Sequence, residues 1–152
     1  MATGANFFLD ILSSESHETR QQLRQEAQSI FPTEGLPPIF SLEKLALTDS
    51  ALRETLRRNT FSIYGLFYAV ISRDGVITPD GHHLPLDTWV CVPTMGIHHD
   101  GRKYMEPERY NPYRFLSDTD CGRKAPLTAV SERFLGFNYG ESTWLVYLHN
   151  HF

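Results

Sequence analysis

The sequence predicts an α+β fold: helices at the front, a small irregular β-sheet behind them, and a long meandering loop. Three observations predict it. Apolar residues recur at helical spacing only as far as about Arg58. Turn dipeptides Asp74-Gly75 and Asp80-Gly81 then bracket Val76-Ile77-Thr78, which reads as short hairpin-like strands. From Met95 to Pro112 glycine, proline and charge mix without a period, so that stretch reads as irregular chain.

Taken in order, Asn6 to Ile30 predicts two helical pieces broken near Ser13 to Ser16. Phe8, Leu9, Ile11 and Leu12 form one apolar face, and Leu23, Ala27 and Ile30 a second. Phe31 to Phe40 holds three prolines and a glycine and reads as a turn-rich connection. Ser41 is placed to cap a helix whose apolar side runs through Leu42, Leu45, Leu52 and Leu56 to about Arg58. Phe61 to Ser72 is aromatic and β-branched enough for extended structure, interrupted at Gly65. Thr88 to Val92 reads as a further strand ended by Pro93, a single helical turn is expected near Lys103, and Leu116 to Ser131 reads as polar loop.

The chain is organised around Thr48 to Arg58, TDSALRETLRR. Glu54 and Arg57 are three apart on a helix, so their side chains lie on neighbouring rows and can pair. Alone, such a pair is most often a solvated surface bridge worth a few tenths of a kcal/mol. The segment Glu106 to Phe115, EPERYNPYRF, offers Arg114 as a second partner for the same carboxylate. A carboxylate between two guanidinium forks is geometrically specific and can lock a helix to a long loop.

With 152 residues, 41% hydrophobic and 21% charged, the chain has the length and composition of one globular domain. A formal net charge of −4 and the lack of a basic stripe argue against nucleic acid as a partner. The first residues lack a basic stretch followed by an apolar one, so no signal peptide is expected. No run of about 18 apolar residues is present, so no membrane span is expected either.

A helix with Glu-x-x-Arg, short strands, a Pro-Glu-Arg-like segment and then Phe-x-x-Gly, in this order, resembles the cytochrome P-450 (haem-thiolate monooxygenase) family. Leu23 to Ala27, LRQEA, looks like that family's J helix, Glu54 and Arg57 like its K-helix pair, and Pro107 to Phe115 like its meander. The resemblance implies that Arg114 completes a structural triad with Glu54 and Arg57. It makes His98, in His98-His99-Asp100, and Phe137 and Gly140, in Phe137-Asn138-Tyr139-Gly140, remnants of cofactor-binding segments. Asp49-Ser50 and the run TWVCVPTMGIHHDG look like a filamentous-fungal, secondary-metabolite type. The implied fold is an incomplete cytochrome P-450 fold. The implied chemistry is haem-dependent insertion of oxygen into a small apolar substrate, with a reductase as electron donor and the endoplasmic reticulum membrane as the site of full-length relatives.

The sequence departs from that pattern where the iron ligand belongs. The seventh residue after Phe137 is Trp144, where the family has a cysteine thiolate, and an indole cannot act as that anionic soft ligand. Ser142 stands where a basic residue commonly meets a haem propionate. The expected organisation is a partial cytochrome P-450-like domain over 1–143 and an unrelated tail over 144–152. That tail is compatible with intron sequence read as protein, since a cysteine codon split after TG and followed by GT reads as tryptophan. Met1 to Leu12 looks like only the end of the family's long I helix, with Thr3 near its oxygen-activating threonine; the bland reading of Thr3 is a helix cap. The resemblance covers about the last third of a family member. As written, the chain is expected to bind no haem, to be inactive, and to reside in the cytoplasm. The alternative function is a non-catalytic interaction protein, or a truncated gene product, whose exposed faces take a protein partner.

Other chemistry has little support. His82-His83 and His98-His99 are adjacent pairs whose side chains diverge, and no His-Glu-x-x-His or Cys-x-x-Cys spacing accompanies them, so no metal site is expected. Cys91 reads as a small buried hydrophobe in a strand. Cys121 has the wrong spacing from Phe115 to replace the ligand, and Asp118 and Asp120 disfavour its thiolate.

Overall fold

The computed structural model describes residues 2–13, 17–31, 44–116, 129–137 and 139–140. Three helices come first: α1 (Ala2–Ser13), α2 (His17–Ile30) and α3 (Ala46–Arg58). Strands β1 (Gly65–Ala69), β2 (Val76–Ile77), β3 (His83–Leu84) and β4 (Trp89–Val92) follow, then the short helix α4 (Thr94–His98). The mixed architecture agrees with the α+β expectation. Ser41, Leu42, Cys121, Ser142, Trp144 and the 144–152 tail lie outside the described residues.

Helix α3 begins at Ala46 and has Leu45 at its N-cap without a side-chain cap of its own. The cap comes from the neighbouring helix. Glu26 of α2 accepts the amides of Leu47 and Thr48, each at 2.8 Å, and the Thr48 hydroxyl at 2.7 Å. One carboxylate thus satisfies two orphan N–H groups at a helix N-terminus, where negative charge is favourable.

The buried face of α3 is not its leucine stripe. Leu47, Ser50, Ala51, Arg53, Glu54, Thr55 and Arg57 are buried, whereas Leu52 and Leu56 are only half-buried. On α1, Ile11 is buried but Phe8, Leu9 and Leu12 are exposed, so the apolar face expected there is mostly open to solvent. Asp10 fastens α1 to α3 through Arg58 and Asn59, each at 3.0 Å.

Strands β1 and β4 pair antiparallel, with a bulge between Gly65 and Tyr68, and β2 pairs with β3 in a separate hairpin. Extended structure starts at Gly65, which heads β1 where an interruption was expected. Gly75, at φ +73°, makes the turn before β2; a Cβ there would stand 2.5 Å from His83 Nε2 and from the Leu84 carbonyl. Both β1 and β4 carry exposed side chains at successive positions, the pattern of a ribbon with little laid over either face. Cys91 is accordingly exposed on β4, contrary to the expectation of a buried residue.

Helix α4 was not legible in the sequence, whereas the turn near Lys103 is present: the Lys103 and Tyr104 amides both reach the Asp100 carbonyl at 2.9 Å. Tyr104, Phe115 and Phe134 make an aromatic core against which Leu56 and Phe137 pack. Among the described residues, no helix is long and apolar enough to cross a membrane.

Candidate functional site: a buried guanidinium–carboxylate cluster

The structure brings Glu54, Arg57 and Arg114 together. Glu54 and Arg57 project from α3 with no exposed side-chain surface, and Arg114 arrives from the meander with 12%. Glu54 Oε2 accepts Arg57 Nε at 2.8 Å and Arg114 Nε at 2.9 Å. Its Oε1 accepts a terminal Arg57 nitrogen at 3.0 Å and the Asn111 amide at 3.1 Å. Four N–H donors therefore fill the carboxylate, which is how a buried charge avoids its desolvation cost.

The two arginines spend their remaining donors on loop carbonyls. Arg57 reaches the carbonyls of His98 at 2.5 Å and Pro107 at 2.6 Å. Arg114 reaches those of Met105, Arg109 and Glu106 at 2.7, 3.1 and 3.3 Å. Both guanidinium groups lie over the Tyr104 ring. The meander has little regular structure of its own, and these bonds supply the partners its backbone lacks.

Other α3 residues add to the clamp. Ser50 Oγ donates to the Pro112 carbonyl at 2.6 Å and accepts the Phe115 amide at 3.1 Å. Tyr110 donates to the Ala51 carbonyl at 3.1 Å, and burial pushes its phenol up to about 12. Arg53 is 1% exposed, with its guanidinium carbon 4.7 Å from the Phe115 ring centre and 4.4 Å from that of Phe134. A stacked arginine can be buried in this way because its flat, weakly hydrated cation suits aromatic faces. Sequence reading missed Ser50, Arg53 and the Glu26 cap, because each acts through a partner distant in the chain.

His98 is fully buried, with one ring nitrogen on Thr60 and the other on the Leu135 amide, both at 2.9 Å. His99 Nδ1 meets Glu108 at 3.0 Å. Phe137 packs against the aromatic core; Gly140 is exposed at φ +73°, and Thr3 is exposed in the first turn of α1. Phe137 also lines a cavity of about 380 Å3 with Leu56, Phe61 and Leu135, where Thr60, Ser62 and Thr94 contribute hydroxyls. Both carboxylate oxygens of Glu54 and both ring nitrogens of His98 are engaged in hydrogen bonds within the chain.

The sequence pattern of the Cytochrome P-450 family matches residues 2–142. The chain belongs to the cytochrome P-450 family. It is 39% identical over 145 residues to the cytochrome P-450 monooxygenase lnaC of Aspergillus flavus, a match covering 91% of this chain and 27% of that protein. To the cytochrome P-450 monooxygenase polB of Polytolypa hystricis it is 35% identical over 156 residues, covering 93% and 29%. A zebrafish cytochrome P-450, in a structure with abiraterone, superposes on 93% of the chain with a TM-score of 0.70 at 23% identity, which speaks to fold. The chain thus spans somewhat over a quarter of the length of these curated relatives. Its lineage is that of fungal cytochrome P-450 monooxygenases, and haem is the cofactor of that family.

The described residues do not by themselves fit a haem. The cavity beside Phe137 has apolar walls, yet its lining offers neither a cysteine nor a basic side chain. Cys91 is exposed on β4. Among the described residues, no group of three or more His, Cys, Asp and Glu could hold a metal ion.

Proposed function

We propose that this chain is the bracing portion of a cytochrome P-450 monooxygenase and that, as written, it does not carry out oxygen insertion. In this reading the full-length parent oxidises a small apolar secondary metabolite, draws electrons from a reductase, and works at the endoplasmic reticulum membrane. Residues 1–143 belong to the parent fold and 144–152 to an unrelated tail. Thr3, His98, Phe137 and Gly140 are remnants of its oxygen- and haem-binding segments. The triad of Glu54, Arg57 and Arg114 keeps its bracing role because it depends on hydrogen bonds within the chain.

One observation carries the loss of activity: Trp144 at the seventh position after Phe137. Thiolate donation to iron favours cleavage of the O–O bond, and an indole cannot donate in that way. The test is to add haem to the purified 152-residue chain and record the carbon monoxide difference spectrum of the reduced sample. No thiolate-type band is expected. Such a band from the unaltered chain would overturn the proposal. Sequencing the transcript across the Thr143 codon tests the tail: a message continuing into Cys-Pro-Gly supports intron read-through, and one ending at Phe152 rules it out.

A second reading is favoured by the exposed apolar surface. Phe61 is 98% exposed, Ile71 88% and Trp89 71%, and exposed apolar surface of this kind marks an interaction site where it is contiguous. This reading is a non-catalytic interaction protein whose faces take a partner. A haem-free complex isolated from cells, absent when Trp89 and Phe61 are changed to serine, supports it. A soluble, partner-free monomer contradicts it.

A further inference from the structure

His98 joins three separate stretches of chain. Its Nε2 faces the Leu135 amide nitrogen, which can only donate, so Nε2 is an acceptor without a proton. In a neutral imidazole the proton then sits on Nδ1, which donates to Thr60 Oγ1. The Thr60 hydroxyl in turn donates to the Arg57 carbonyl at 2.9 Å. The ring stacks on Phe134 at 5.4 Å and 18°, and the His98 carbonyl takes a donor from Arg57.

We infer that His98 is a positioning residue: as the neutral tautomer protonated on Nδ1, it suspends the Phe134–Phe137 segment from the C-terminal end of α3. The inference holds whether or not the chain binds haem. Neither alternative protonation state serves. The other tautomer sets N–H against the Leu135 N–H, and imidazolium does the same while adding charge beside the guanidinium of Arg57. The ionisable neighbours are Arg57 on α3, whose own counter-charge Glu54 is already shared with Arg114, and His99 in the same segment. Burial first, and Arg57 second, hold the His98 imidazole down to about 4, so the neutral ring persists at ordinary pH.

Other contacts finish the anchorage. Tyr104 donates to the Arg133 carbonyl at 2.8 Å, and Ser131 and Phe134 exchange backbone hydrogen bonds at 3.0 Å. Gly136 permits the tight packing, since a Cβ there would stand 2.8 Å from the Phe134 ring. Phe137 follows directly, so its place in the cavity wall depends on where this segment hangs.

The test uses the full 152-residue chain labelled with 15N. At pH 7, long-range 1H–15N spectra are expected to show His98 with a protonated Nδ1 and an unprotonated Nε2, and to keep that signature down to about pH 5. His98→Phe keeps the ring stack but leaves the Leu135 N–H without its acceptor. Leu135 amide exchange should then quicken by about tenfold or more relative to the Glu54 amide, as for a lost buried hydrogen bond. An Nε2-protonated tautomer, an imidazolium at pH 7, or unchanged Leu135 exchange in His98→Phe overturns the inference. Should that variant fail to fold, the tautomer of the unaltered chain still decides.

Discussion

The buried face of α3 and the β1–β4 ribbon make opposite use of their residues. On α3, charged and hydroxyl side chains are inside: Arg53, Glu54, Thr55 and Arg57 are all at or below 1% exposure. On the ribbon, apolar side chains are outside: Trp89 is 71% exposed, Phe67 59% and Tyr68 50%. The triad is closed within this chain because Glu54 of α3 supplies the counter-charge, and the carbonyls and the amide that complete it come from the end of α4 and from the meander. The ribbon's apolar faces have no such covering among the described residues. Polar satisfaction and apolar burial are therefore separable here: the Glu54 carboxylate at the centre of the α3 face is filled with donors, while the ribbon's apolar side chains stay open to solvent.

Removing the central charge of α3 should have the largest effect. Glu54→Ala leaves Arg57 and Arg114 buried without a counter-charge and should cost roughly 3–5 kcal/mol, read as a lowered urea midpoint or outright failure to fold. An exposed substitution such as Ile71→Ser should stay within about 0.5 kcal/mol while improving solubility. If the two variants cost the same, the contrast between the regions is wrong.

Acid should come next. His98 takes up its proton at about 4 in the fold against an ordinary 6.5, so the unfolded chain protonates first as pH falls. The stability tied to neutral His98 is complete above pH 6.5, declines through the window from 6.5 to 4, and is lost below it. The span corresponds to about 3 kcal/mol at 1.36 kcal/mol per unit. Urea midpoints across that window, compared between the unaltered chain and His98→Phe, check it: the slope should flatten in the variant.

Gly136→Ala should cost about 1–3 kcal/mol, because the added methyl drives into the Phe134 ring in a packed core. The smallest effect belongs to Cys91→Ser. The thiol is exposed on β4, so the change should stay within about 0.5 kcal/mol, read from thermal melts.

Much of this was legible in the sequence. The helical pieces on either side of Ser13 to Ser16 and the Asp-Gly turns around β2 follow from local periodicity and turn chemistry, which a short window contains. Glu54 and Arg57 could be paired from spacing alone, but Arg114 stands sixty residues from Glu54, and only the order of motifs pointed to it. The leucine stripe was misleading. Leu52 and Leu56 stay half-buried because the meander meets α3 on the face that carries its hydrogen-bonding groups. A buried Arg53 breaks the usual reading of charge as surface, and the two phenylalanine rings it lies against are distant in the sequence. Cys91 misled for the opposite reason: an apolar strand signals burial only when another layer is present to bury it.

The most direct measurement of the contrast is native-state amide exchange on the full chain at pH 7. If the α3 cluster is the closed unit, amides of Glu54, Thr55, Asn111 and Phe115 should be the slowest to exchange, while Tyr68 and Val90 in the β1–β4 ribbon exchange markedly faster. Equal protection in the two regions, or slower exchange in the ribbon, would contradict it.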